Sequence, residues 1–132
     1  MNYTELDTPA LCLDVDVLDH NITQLQTACD ALPINLRVHT KTHKTPAIAR
    51  RQVDAGAVGI VCQKLGEAEP MAAAGIEDIL VPYNIVGRRK LDRLVSLIQS
   101  NPQTKLTLAA DSAATVEGIS ATMATAGADV RL

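Results

Sequence analysis

Three times in this chain a glycine closes a run of helix-forming residues and an apolar stretch follows at once: "DAGAVGIV", "AAGIEDIL" and "TAGADVRL". Glycine readily takes the left-handed backbone that stops a helix and turns the chain back. Each unit therefore leads from a helix end straight into a strand, and strands joined by helical crossovers pair in parallel. The rhythm confines the fold to the α/β class. It says nothing of strand order, so an open doubly wound sheet and a barrel satisfy it equally.

The remaining elements fill in around these units. "ALCLDV" (10–15) reads as a first buried strand bounded by Pro9 and Asp16. Asp16 is placed to cap a helix with Leu18, Ile22, Leu25, Cys29 and Leu32 on one face, ended by Pro33. "NLRVHTK" (35–41) is a second strand, and Thr45-Pro46 is an N-cap followed by proline at the first helical position. "AVGIVCQ" (57–63) is a third strand, followed by the helix "LGEAEPMAAAG", which Pro70 begins or bends. "DILVPYN" (78–84) is a fourth strand, and the helix after it should bury Leu91, Leu94, Val95 and Ile98 against the sheet. "KLTLAAD" (105–111) makes a fifth strand, "SAATVEGISATMATAG" a fifth helix, and "ADVRL" opens a sixth strand.

That final strand has no helix after it. A complete eight-unit barrel takes about 250 residues, against which this chain supplies about five and a half units. The expectation is thus parallel βα units forming part of a TIM-type (β/α)8 barrel, with 1–132 the N-terminal portion of a larger protein. The alternative is a complete five-stranded flavodoxin-like domain.

Composition removes several function classes. A formal charge of −3 gives no basic field for nucleic acid, and Phe and Trp are absent, leaving two Tyr as stacking surfaces for bases. Cys12, Cys29 and Cys62 are odd in number and sit in apolar patterns without a CxxC pair. Reduced thiols in a cytoplasmic protein are expected, with neither a disulfide frame nor zinc-site spacing. The polar, acidic "MNYTELDTP" lacks the features of a signal peptide, and no apolar run nears the roughly 20 residues of a membrane span.

One stretch breaks the apolar pattern. "RVHTKTHKTP" (37–46) carries an arginine, two histidines and two lysines. Side chains alternate along a strand, so Leu36 and Val38 face the covering helices while Arg37, His39 and Lys41 share the opposite face. Lys41 is last in that row, at the carboxyl end where α/β folds keep their ligand sites. A neutral lysine amine forms a Schiff base with an aldehyde. Partial burial and the cations Arg37 and Lys44, with His39 or His43 when protonated, would favour the neutral form.

Two other readings stay open at this point. The stretch can be a solvated basic loop, although a buried face seldom carries charge without a partner or a task. It can be a metal site of His39 and His43, although their spacing crosses from strand to loop and no third ligand is evident. A phosphate-cradling loop is excluded, because "HTKTHKT" contains no glycine.

"LDTPALCLDVDVLDHNI", "RVHTKTHKTPAIARRQ" and "GAVGIVCQKLGEAEPMAAAGIEDIL" together resemble the N-terminal barrel of the D-threonine aldolase and D-serine dehydratase family, with its alanine-racemase-like fold. The resemblance implies a pyridoxal 5'-phosphate enzyme in which the first lysine of the H-x-K-T-H-K element, here Lys41, carries the cofactor. His39 matches the histidine that lies against the cofactor. The family usually has "RPH" where this chain has Arg37-Val38-His39. Gln63, Tyr83 and Asp111 end the third, fourth and fifth strands, so with Arg37 they are candidate cofactor-binding residues; as caps and turn residues they would need no such role.

The resemblance further implies a small-molecule D-amino acid substrate, a homodimer, and a phosphate site late in the barrel. A divalent metal, Mn or Zn, would lie in a C-terminal β-domain beyond Leu132. The favoured reaction is retro-aldol cleavage of D-threonine-like substrates to glycine and an aldehyde. D-serine dehydration, amino-acid racemisation and non-catalytic pyridoxal phosphate binding for cofactor homeostasis are the alternatives. This fragment alone is not expected to be an efficient catalyst.

Overall fold

A computed structural model, which describes residues 2–132, shows strands and helices in alternation. A short 3-10 turn at Tyr3–Glu5 precedes α1 (Val15–Ala31), β1 (Arg37–His39), α2 (Pro46–Asp54), β2 (Gly59–Val61) and α3 (Leu65–Ala73). Then follow β3 (Asp78–Val81), α4 (Arg88–Ser100), β4 (Lys105–Leu108) and α5 (Ala113–Ala126). The helix-stopping glycines are where the sequence puts them: Gly75 and Gly127 hold φ of 79° and 60°, and Gly56 holds 125°.

The sheet distinguishes a barrel from a doubly wound layer. Its four described strands are parallel and lie in the order β1-β2-β3-β4, each beside its neighbour in sequence. One face presents the row Val38–Ile60–Ile79–Leu106, with Cys62, Val81 and Leu108 further along. Against it α2 to α5 bring Ala49, Met71, Leu94 and Ile119 into a single core. Each large aliphatic side chain fully buried there contributes about 1.5–3 kcal/mol. A doubly wound sheet reverses its order and carries helices on both faces. This one does neither: its units are an arc of a TIM-type barrel wall.

The other face is open. Its amino-terminal row is Arg37–Gly59–Asp78–Lys105 and its next row is His39–Val61–Leu80–Thr107. Arg37 Nη1 donates to Asp78 Oδ1 at 2.8 Å, reaching from β1 to β3. Those strands are about 9–10 Å apart, and the guanidinium must pass over β2. Gly59 makes this passage possible. A Cβ there would lie 2.5 Å from Arg37 Nη1 and 2.6 Å from the Asp78 carbonyl oxygen.

Several elements differ from the sequence expectation. The first strand does not form: residues 10–14 belong to no ladder, and Leu11 and Leu13 are exposed. No hydrogen bond joins backbone 9–13 to a neighbouring strand among the described residues, and apolar pattern without a pairing partner does not hold a strand. Asp14, not Asp16, caps α1; its side chain accepts from Val17 N–H at 3.1 Å, which places Asp16 inside the first turn. Along α1, Leu18 and Ile22 are half-buried and Cys29 is buried, but Leu25 and Leu32 are exposed while Gln26 is buried. On α4, Leu94 and Leu97 are the buried pair, with Leu91, Val95 and Ile98 packed at the margin. The strands are shorter than their apolar runs. The sixth is a single parallel bridge between Thr107 and Arg131, so four βα units are complete rather than about five and a half.

The Gly59 contact gives a direct test. Gly59→Ala should destabilise the protein by about 1–3 kcal/mol, because a backbone oxygen cannot move aside as a side chain can. Denaturant unfolding of the variant should show the loss; an unchanged midpoint would mean that the strands are spaced differently.

Candidate functional site

Thr40 directly follows β1 and is completely buried. Its backbone N–H and its hydroxyl both donate to the Val61 carbonyl, at 2.9 and 3.1 Å. From there the chain makes one turn, closed by Lys44 N–H donating to the Thr40 carbonyl at 2.8 Å. Lys44 sits in the left-handed region at φ 49°, which costs a non-glycine residue about 1 kcal/mol. Thr45 then leads into α2 with Pro46 at its start, as the sequence indicates, though the Thr45 hydroxyl donates to the His43 carbonyl instead of capping the helix.

Side chains tie this turn into a circuit. The Lys41 N–H donates to His39 Nδ1 at 3.2 Å. A backbone N–H can only donate, so Nδ1 is unprotonated and the proton of the neutral ring is on Nε2. Nε2 lies 3.1 Å from Gln63 Oε1, to which it donates. Gln63 N–H donates in turn to Glu67 Oε2 at 2.9 Å, and Glu67 Oε1 is 3.6 Å from Lys44 Nζ. The path runs from Lys41 through β2 and α3 and returns to the same turn three residues on. Glu67 is buried in the first turn of α3, where the helix dipole favours a carboxylate.

The structure thus joins three of the sequence candidates directly: Lys41, His39 and Gln63. Lys41 is exposed two residues past the end of β1, and His39 and Gln63 are half-buried. Gln63 and Tyr83 line one cleft of ≈ 500 Å³ with Leu65, Asn84, Lys90 and Arg93. Asp111 is tied to that cleft through its backbone N–H, which donates to Asn84 Oδ1 at 3.2 Å. Arg37 stays at the amino-terminal row, engaged with Asp78.

The expected electrostatics are corrected. Lys41 is exposed rather than partly buried, and the cations Arg37 and Lys44 are each paired with a carboxylate. The open sheet face leaves this end of the strand in solvent. The metal reading of His39 and His43 also falls: both His39 nitrogens are engaged, and His43 Nδ1 accepts from Thr45 N–H at 3.0 Å. No group of three or more His, Cys, Asp or Glu side chains suited to a metal occurs among the described residues. Burial pushes the Cys62 thiol up, which keeps it protonated and inert.

Glu67 and Asn84 are the residues that sequence reasoning missed. "QKLGE" offered a signal, since a glutamate in a helix's first turn can reach back to a preceding N–H. Asn84 bonds across 27 residues, a separation no local pattern reveals.

No family model matches the chain. A D-threonine aldolase of an Arthrobacter species is 40% identical over 125 residues, which is 95% of this chain and 32% of that protein. The D-threo-3-hydroxyaspartate dehydratase of Delftia sp. strain HT23 is 39% identical over 116 residues, 88% of this chain and 30% of that one. Among solved structures, D-threonine aldolase from Filomicrobium marinum superposes with a TM-score of 0.90 at 38% identity, covering 97% of this chain and 34% of its own. The chain spans about a third of the length of these relatives.

His43 supplies the pH test of this loop. Burial lowers its pKa below the ordinary imidazole value, against a raising contribution from Gln52. The folded protein therefore binds fewer protons than the unfolded chain. Stability from this group is complete above a pH of about 6.5 and is lost as pH falls toward the lowered folded value. An asparagine can still accept from the N–H two residues on. The unfolding free energy of His43→Asn, measured from neutral pH to about pH 5, should fall less steeply than that of the wild type; parallel curves would refute the assignment.

Proposed function

We propose, from the premise that this chain belongs to the family of the D-threonine aldolases and D-threo-3-hydroxyaspartate dehydratases, that it forms the amine-bearing arc of a pyridoxal phosphate-dependent lyase acting on β-hydroxy-D-amino acids. The observation that carries this reading is the state of Lys41. It is an exposed primary amine with no ion-pair partner among the described residues, held beside an imidazole whose two nitrogens are already committed. The half-buried Val61 and Leu80 supply an apolar floor on the same sheet face as His39. These residues fit the aldehyde end of a flat aromatic cofactor.

When bound, pyridoxal phosphate draws electrons from the α-carbon of an amino acid joined to it. Lys41 Nζ would hold the cofactor's aldehyde carbon and, once displaced by the substrate's amine, would be placed to hold a proton. His39 acts as a fixed side wall, since its Nε2 proton is given to Gln63 and its Nδ1 is occupied by the Lys41 N–H. Gln63, hydrogen-bonded to His39, and Tyr83, which lines a cleft with Gln63, are the residues we assign to substrate contact. Arg37 and Asp111 bear on the site through the strands and loops that carry it.

The reaction we favour cleaves Cα–Cβ of a D-threonine-like substrate, giving glycine and an aldehyde. A second reading, elimination of the β-hydroxyl as water followed by hydrolysis of the resulting imine to a keto acid and ammonia, is supported by the nearly equal identity to the Delftia dehydratase. We place the phosphate contacts, a divalent metal (Mn or Zn) and a C-terminal β-domain in the length of the relatives that this chain does not span, and assign the whole protein to a cytoplasmic homodimer.

The test uses the full-length protein with cofactor and a divalent metal, incubated separately with D-threonine, D-serine and D-threo-3-hydroxyaspartate. Glycine and acetaldehyde from D-threonine are the expected products. Pyruvate and ammonia from D-serine, with no glycine from D-threonine, would overturn the aldolase in favour of the dehydratase. Lys41→Ala should reduce turnover by about 10³-fold or more and abolish borohydride-stable labelling at that position.

A further inference from the structure

Two lysines stand three residues apart on one turn, both exposed, and only one of them can be the attachment point. Nothing in their side-chain chemistry separates Lys41 from Lys44. Their surroundings do. Lys44 Nζ lies 3.6 Å from Glu67 Oε1, whereas Lys41 has no carboxylate at ion-pair distance among the described residues. We propose that Glu67 is a positioning residue that decides which lysine takes the carbonyl ligand, by holding the Lys44 ammonium on α3 and leaving Lys41 free.

This inference rests on the reading of Lys41 above and extends it to a residue outside the attachment point. The Glu67 side chain is 8% exposed and that of Lys44 61%, so the carboxylate is the fixed member of the pair and the lysine the mobile one. Gln63 N–H holds Oε2, which aims Oε1 at the turn. Lys44 is the one cation at ion-pair distance from this buried carboxylate among the described residues. A buried carboxylate left without its cation is costly, so the pair resists separation. The left-handed backbone at Lys44 fixes where its side chain departs. Either ammonium must lose its proton before it can attack a carbonyl carbon, but Lys44 must also leave its carboxylate partner, a requirement Lys41 does not face. The half-exposed geometry makes the bias graded rather than absolute.

The experiment reads the site of attachment and needs no turnover. Full-length protein is incubated with pyridoxal phosphate, reduced with borohydride and mapped by peptide mass. Wild type should carry the label on Lys41; a wild type labelled only on Lys44 would overturn the functional reading itself. Glu67→Gln keeps an acceptor for Gln63 N–H but loses the charge, and the Lys44 share of the label should rise about fivefold. Glu67→Gln combined with Lys44→Met should return the label to Lys41 alone, with near-UV circular dichroism reporting the fold. Raising ionic strength on the wild type is a second route that avoids any mutation. Screening should increase the Lys44 share there, and should do so much less in Glu67→Gln. A wild-type label on Lys41 whose distribution responds to neither the substitution nor salt would sink the role of Glu67 and leave that of Lys41 standing.

Discussion

Everything at the carboxyl end of this sheet hangs on one carbonyl. Val61 accepts two hydrogen bonds from Thr40, one from the backbone and one from the hydroxyl, inside a space closed to water. A buried hydroxyl without a partner costs about 1–3 kcal/mol, so Thr40 has one comfortable place to be. That place lies just past β1 and begins the turn. With Thr40 fixed and its carbonyl accepting from Lys44, the intervening residues have no freedom to extend the strand. The position of Lys41 follows from the burial of the residue before it.

Arg37 shows a similar dependence at the opposite end of the strands. A cation and a carboxylate two strands apart meet because the strand between them presents a glycine. The pair spans the open face, and the same absence of a side chain that admits it forbids substitution. The two ends are thus held by different means: a buried hydroxyl at the carboxyl end, and an ion pair over a gap at the amino end. The helices contribute the apolar mass between them, through Ile60, Ile79 and their neighbours.

Much of this was legible in the sequence where the physics is local. A glycine that stops a helix, a threonine and proline that start one, and a leucine stripe on α4 act within a few residues. The carboxyl-end place of Lys41 was legible from the end of an apolar run, although β1 stops at His39 and Lys41 stands in the turn beyond it, where strand alternation no longer applies. The failures involve partners that sequence order hides. Leu11 and Leu13 carry a strand-like pattern but have no strand beside them. Arg37 looked like a cation acting on Lys41 along one strand face, and its partner, Asp78, lies 41 residues away. Gln63 sits at a helix start as a cap or turn residue would, yet with Glu67 it also closes a circuit back to the turn after β1. The cap expected at Asp16 falls two residues earlier, at Asp14. Only the backbone at Val15, already helical, separates them.

The turn between β1 and α2 contains no glycine and runs into a proline. An unfolded segment of that kind samples fewer backbone states than a glycine-rich one, so less disorder is given up when it takes its native shape. Phosphate-gripping loops of other α/β proteins need glycine to let the backbone approach the ligand, and accept the looseness that follows. In the function proposed above, a ligand would be met by a side chain at the tip, and the backbone can be stiff. The turn is organised on its own, so the affinity of whatever ligand it meets need not be spent on ordering the peptide that receives it.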